Sequence, residues 1–152
     1  MSNKLVWWGY AVELLATALT VTCLSLWFQP NAVVAFVRIA AIDIATLFCA
    51  VMLAAALAFL WSFYTKADTP FYRWLEERGA FNVYLSGTVY TIAVSFTTTA
   101  ALIVAKYVEG LAIGLIATFM LVLSILNLYS LVYNVAGIMR LNAKFNSIAR
   151  DM

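Results

Sequence analysis

The sequence predicts an all-α integral membrane protein, with residues 1–152 forming a single domain of four transmembrane helices in a compact bundle. Hydrophobic residues make up 66% of the chain and charged residues only 11%, whereas a soluble domain carries about a quarter charged residues. Four apolar segments each exceed the ~20 residues that a helix needs to cross the ~30 Å hydrocarbon core. The ~10-residue alternation typical of membrane β-barrel strands is absent.

The four predicted spans have boundaries with turn chemistry. We expect them at residues 6–28, 42–64, 83–105 and 111–139. Pro30 ends the first span because proline cannot continue the helical hydrogen-bond ladder, and Gly110 precedes the fourth. The apolar run around the second span begins well before residue 42, and as one helix it would be ~50 Å long. Residues 32–41 are therefore either an extension of that helix or a segment in the outer interface.

The most charged stretch of the chain, between the second and third spans, predicts a short interfacial helix over residues 69–79. Asp68 or Thr69 fits the N-cap of this helix, Pro70 its first turn and Gly79 its C-terminal stop. Its apolar residues fall on one side, so we expect that side to lie on the membrane surface.

Residues 140–150 continue the fourth span as a basic amphipathic tail. Arg140, Lys144 and Arg150 surround its apolar face, a pattern typical of segments that bind anionic lipid headgroups. The alternative is docking of a cytoplasmic protein through residues 66–80 and 140–152.

The positions of lysine and arginine predict the orientation of the chain. Of the 9 basic residues, only Lys106 and, at most, Arg38 belong to one side of a four-span topology. The other side holds Lys4, Lys66, Arg73, Arg78, Arg140, Lys144 and Arg150. By the positive-inside rule both termini are expected in the cytoplasm, in a plasma membrane of the bacterial inner-membrane type.

Glu13 is the sharpest polar signal within a span, since an ionisable residue at depth is costly. It lies about one and a half turns inside the boundary set by Trp8. Counting inwards from the same boundary predicts that Glu13 meets Thr88 and Asn134. Asn127 lies further along the polar stripe of the fourth span. The cluster is either a structural hydrogen-bonding site that fixes helix packing or a proton or cation site, and snorkelling of Glu13 to the interface is the third interpretation.

A second set of charges is expected at the outer rim. Arg38 and Asp43 are five positions apart in the sequence and therefore about 140° apart on a helix, which makes them poor partners for each other. Lys106 and Glu109, in the outer loop, are better candidates. The sequence thus predicts a structural set of ion pairs, with a vestibule or docking site as the alternative.

Small and hydroxylated residues form stripes with helical spacing on every span. On the third span the stripe is Thr88, Thr91, Ser95, Thr98 and Thr99, and on the fourth it is Ser124, Asn127, Ser130, Asn134 and Gly137. The second span has two rows, one of Ala45, Thr46, Cys49 and Ala56 and one of Ala50, Ala54 and Ala58. Such rows are typical of helix packing seams. Because both rows of the second span cannot face one interior, they favour self-association.

The absence of histidine and the presence of only 2 cysteines leave no ligand set for zinc, haem or an iron–sulfur cluster, and no cofactor is expected. No phosphate loop or nucleophile elbow occurs, and the composition excludes a nucleic-acid partner. We therefore expect a non-catalytic protein that acts through homo-oligomerisation, or as an accessory subunit or scaffold for a membrane or cytoplasmic partner. One alternative is an oligomeric ion channel or small transporter with Glu13 lining the pathway. Another is a membrane sensor or immunity protein.

Overall fold

Five helices make up the computed structural model, which describes the backbone of residues 3–150 and the side chains of residues 8–148. The helices are α1 (Asn3–Phe28), α2 (Pro30–Lys66), α3 (Pro70–Glu77), α4 (Ala80–Tyr107) and α5 (Leu111–Arg150). No β-strand occurs within residues 3–150. All except α3 are long and apolar enough to cross a membrane, so the chain is a multi-pass membrane protein.

The helix α2 runs without interruption through residues 32–41. Val34, Val37 and Ala41 are buried there, against α4 and α5. This segment is therefore an extension of the helix, and α2 begins well before the predicted span at residues 42–64.

The middle of α2, Ile44–Cys49, is π-helical. In a π-helix each N–H bonds to the carbonyl five residues earlier, not four as in an α-helix. Such turns occur as bulges inside α-helices. The part before it, Pro30–Asp43, packs on both α4 and α5, whereas the part after it, Ala50–Lys66, packs chiefly on α4. The π-helical turn thus separates two halves of α2 that have different neighbours.

The chain reverses between α1 and α2 over a single residue, Gln29, which has φ 64° and ψ 139°. Pro30 favours an extended ψ in the preceding residue. Because Gln29 alone forms the link, the reversal of the chain also requires it to adopt a positive φ. Between residues 3 and 150, Gln29 is the only residue other than glycine with a positive φ.

The turns around α3 follow the sequence prediction closely. Thr69 occupies the N-cap position and Pro70 the first turn, but the Thr69 hydroxyl donates to the Lys66 carbonyl at 2.8 Å instead of capping α3. The helix ends at Glu77, and Gly79 after it adopts the left-handed conformation, with φ 67°.

Two apolar clusters lie near opposite ends of the molecule. The turn-end cluster, near the α4–α5 loop, contains Val37, Ala41, Ala45, Cys49, Leu102, Ala105 and Ala117. The basic-end cluster joins α3 to α2 and α5 through Phe63, Phe71, Tyr72, Leu75 and Ile138. The interior between the two clusters is lined by polar side chains.

Candidate functional site

The polar interior consists of small uncharged side chains from α1, α4 and α5. Its buried members are Thr17, Thr88, Thr91, Ser95, Thr98, Thr118, Ser124 and Asn127. On α4 the spacing of three and four residues places four of them on one helix face. This face is the hydroxylated stripe that the sequence predicts for the third span.

Most of these hydroxyls form hydrogen bonds within their own helix. Thr88 donates to the Tyr84 carbonyl and Thr91 to the Gly87 carbonyl, each at 3.0 Å, as threonine often does inside helices. Two bonds cross between helices. Thr98 also donates to the Met120 carbonyl at 3.1 Å, and Ser124 donates to the Met52 sulfur at 3.4 Å. The stripe therefore serves mainly close packing, with few bonds between helices.

Glu13 is the charged residue beside this interior. One of its carboxylate oxygens accepts a hydrogen bond from Asn127 Nδ2 at 3.3 Å, and the other accepts one from Ser130 Oγ at 2.5 Å. Asn127 and Ser130 are three positions apart and so lie on the same face of α5. The only acidic residue of α1 is thus bound to α5 by two side chains.

The partners of Glu13 differ from those expected. Among residues with described side chains, neither Thr88 nor Asn134 hydrogen-bonds to its carboxylate. Asn134 is exposed and lies beside α4, where its Nδ2 would be 4.0 Å from a Cβ added at Gly87. Counting residues from a common boundary assumes that all helices enter the membrane at one level. Here Glu13 meets α5 one to two turns, or ~6–10 Å, before Asn134, and therefore further from the basic end of α5 than that assumption gives.

Two atoms of the polar interior have no partner. Asn127 Oδ1 and Ser95 Oγ are buried and form no hydrogen bond within the described part of the chain. A buried polar atom without a partner is destabilising and calls for an explanation. Tyr10 lies three residues before Glu13, and its ring packs against that of Tyr90 with centroids 4.3 Å apart. The surroundings of Glu13 therefore combine a charge, two aromatic rings and unsatisfied polar atoms.

At the outer rim the expected ion pairs are replaced by bonds to the backbone. The Arg38 guanidinium donates to the Val108 carbonyl at 2.8 Å and to the Gly110 carbonyl at 3.4 Å. Lys106 Nζ donates to the Arg38 carbonyl at 3.3 Å. The carbonyls at the end of a helix have no intrahelical donor and attract cations, which explains the bond to Val108 after the last turn of α4. The Gly110 carbonyl also accepts a hydrogen bond from the Gly114 N–H at 3.1 Å, at the start of α5. Asp43 and Glu109 are exposed.

The basic end brings together the two segments predicted to form a joint partner surface. Phe145 of the tail packs against Phe71 and Trp74 of α3, with ring centroids 5.7 Å apart in both pairs. Burial raises the pKa of the Tyr72 phenol above its ordinary value. Arg140 and Lys144 are exposed, while the side chain of Arg150 lies outside the described residues.

A contact that the sequence did not indicate lies between α2 and α5. A Cβ added at Gly114 would come within 2.1 Å of Val34 Cγ1, so the two helices approach each other too closely there for any side chain.

Ser130, the second donor to Glu13, was also not named as a partner from the sequence. It belongs to the polar stripe of the fourth span, and its spacing of three from Asn127 was the available signal for this contact.

Within residues 8–148, no three His, Cys, Asp or Glu side chains come together in a group that could hold a metal ion. No protein-family model matches the chain, and neither a curated protein nor a solved structure is similar to it at a significant level.

Proposed function

We propose that this is a non-catalytic membrane protein that acts through self-association or as an accessory subunit of a membrane complex. The observation that carries the proposal is an exposed row of small residues on α2, formed by Ala50, Ala54 and Ala58. Small side chains allow the backbones of membrane helices to approach closely. In the other small row of α2, Ala45, Cys49 and Ala56 are buried within the chain, whereas Thr46 is exposed. The exposed row is thus left free for a second helix.

The Glu13 cluster supports the same proposal, because its hydrogen bonds hold two helices of the same chain together. Only 6% of the apolar span of α1 is buried, so apolar packing contributes little to its position. The bonds from Asn127 and Ser130 hold α1 against α5, and a carboxylate already occupied by two donors serves a structural role.

The proposed arrangement places both termini and α3 on the cytoplasmic side of a bacterial-type inner membrane, with α3 at the membrane surface. It is supported by the exposed Arg73, Arg140 and Lys144, which all belong to the basic end. A membrane-impermeant thiol reagent should label a cysteine introduced at Asn31 in intact cells, and one at Ser147 only after the cells are opened. A C-terminal cysteine that is labelled in intact cells would contradict this orientation.

Self-association is tested by the variant Ala54→Leu, measured as the protein mass in nanodiscs by light scattering. The larger side chain should separate helices that meet along this row and shift the protein towards monomer. The matched control is Ala100→Leu, an exposed alanine on α4, which should leave the mass unchanged. A monomeric wild-type protein, or equal masses for both variants and the wild type, would count against the proposal.

A second candidate function is conduction of an ion or proton past Glu13. The observation that favours it is the pair of unpartnered buried atoms, Ser95 Oγ and Asn127 Oδ1, on facing stripes of α4 and α5. Polar groups inside a membrane protein often mark an ion or proton pathway. The Glu13 variants considered in the Discussion separate this function from the first.

A further inference from the structure

An open apolar groove of about 570 Å³ runs along the molecule between the second half of α2 and α5. Ala55, Ala58 and Ser62 line its α2 side, and Leu131, Ala136 and Met139 line its α5 side. The groove results from the change of neighbours along α2. Met52 of α2 still contacts Ser124 of α5. Beyond Met52, α2 packs chiefly on α4, and the neighbouring side of α5 is left uncovered.

The groove ends in positive charge on both sides. Lys66 comes four residues after Ser62, and Arg140 comes four residues after Ala136. Residues four apart lie on the same face of a helix, so each wall of the groove continues into a basic side chain. Both Lys66 and Arg140 are exposed.

The length of the groove matches one leaflet of a bilayer. From Leu128 to Met139 on the α5 side of the groove the rise is ~16 Å, and half of the hydrocarbon core is ~15 Å. A transmembrane helix of a second copy would need a groove along the full ~30 Å, whereas a lipid needs an apolar channel of one leaflet with a charge partner at its headgroup end.

We propose that this groove is a binding site for an anionic phospholipid. One acyl chain lies between α2 and α5, and the phosphate group binds Lys66 and Arg140. The groove shares Ala58 with the exposed row, whose Ala50 and Ala54 lie outside it, so the proposal is compatible with self-association through Ala50 and Ala54.

The test compares retention of phosphatidylglycerol and phosphatidylcholine by the purified full chain, measured by native mass spectrometry. The wild-type protein should retain the anionic lipid in preference. The double variant Lys66→Gln/Arg140→Gln should bind it about 30-fold more weakly, because a basic residue near a lipid headgroup contributes roughly a factor of five to six in affinity. The control Arg73→Gln/Arg78→Gln removes two exposed charges outside the groove, one in α3 and one just after its end, and should keep the preference.

A second variant tests the apolar part of the site. Ala136→Phe fills the groove and keeps both charges, so it should reduce retention of the anionic lipid, whereas Ala100→Phe on the exposed side of α4 should not. Equal retention of the two lipids by the wild-type protein would overturn the proposal without any variant. Dissociation of an oligomer by Ala136→Phe with lipid retention unchanged would also overturn it and would identify a second copy of the chain as the occupant.

Discussion

The Glu13 carboxylate on α1 and the Asn127 amide on α5 are joined by a hydrogen bond of 3.3 Å. The bond links the first and last long helices of the chain. Because so little of α1 is buried, it and the neighbouring bond from Ser130 fix where α1 sits. The same carboxylate is the group on which conduction would depend.

Replacement of Glu13 separates its two possible roles. Glu13→Ala leaves Asn127 and Ser130 without their acceptor, and we expect a loss of about 0.6–1.7 kcal/mol in the free energy of unfolding, as for other hydrogen bonds within membranes. Glu13→Gln keeps the side-chain shape and one carbonyl acceptor, and its amide nitrogen can donate to the Ser130 hydroxyl, so its loss should be smaller than that of Glu13→Ala. The measurement is unfolding in detergent micelles.

Ion flux into proteoliposomes decides between the structural and the conducting function of Glu13. If the role is structural, Glu13→Gln leaves any flux unchanged, because only the charge has been removed. Flux in the wild-type protein that disappears in Glu13→Gln, with unaltered thermal stability, would support conduction instead.

The hydroxyl of Thr98 should matter more than that of Thr91. Thr98 donates across to Met120 on α5, whereas Thr91 donates only to Gly87 in its own helix. Thr98→Val should therefore lower the free energy of unfolding by about 0.6 kcal/mol, the average for hydrogen bonds between membrane helices, and Thr91→Val by less. Equal losses would show that the bond across the helices contributes nothing.

The close approach at Gly114 predicts a strong steric effect. Gly114→Ala would force its methyl group into Val34, and overpacking of this kind costs about 1–3 kcal/mol. Combining it with Val34→Ala should recover part of the loss, measured as the unfolding midpoint of the single and double variants. Gly137→Ala, on the same helix with no atom within 4 Å of the added Cβ, is the control and should be neutral or stabilising. An equal loss at Gly137 would point to a general effect on α5.

The turn at Gln29 should be stabilised by glycine. A residue other than glycine in this conformation is strained by about 1–3 kcal/mol, and glycine costs about 0.5–1 kcal/mol in backbone entropy, so a net gain is expected for Gln29→Gly. Gln29→Ala keeps the strain and serves as the control. If both variants had the same melting temperature, the positive φ would not be a source of strain.

The four long helices and the turns at Pro30, Pro70 and Gly79 could be predicted from composition and turn residues, since proline and glycine act locally. The start of the second membrane helix could not, because the predicted span was 42–64, whereas α2 begins at Pro30. The partners of Glu13 and Arg38 could not either, because they depend on how helices cross. Glu13 meets Asn127 through the relative positions of α1 and α5, and Arg38 binds backbone carbonyls that no residue type indicates.

The π-helical segment was also not predicted from the sequence. Ile44–Cys49 has the apolar composition of the rest of α2, and nothing in its residue types distinguishes the two kinds of helix. The sequence indicated that α2 has two rows of small residues without indicating which one faces outwards.

The segment Ile44–Cys49 also decides where α2 tolerates a change in chain length. A π-helical turn holds one more residue than the α-helical turn it replaces. Deletion of one residue within this segment would therefore restore a regular α-helix and leave Ala56 buried and Ala54 exposed, as they are now. The same deletion just after Cys49, in the α-helical part, would instead turn everything that follows by about 100° relative to the first half.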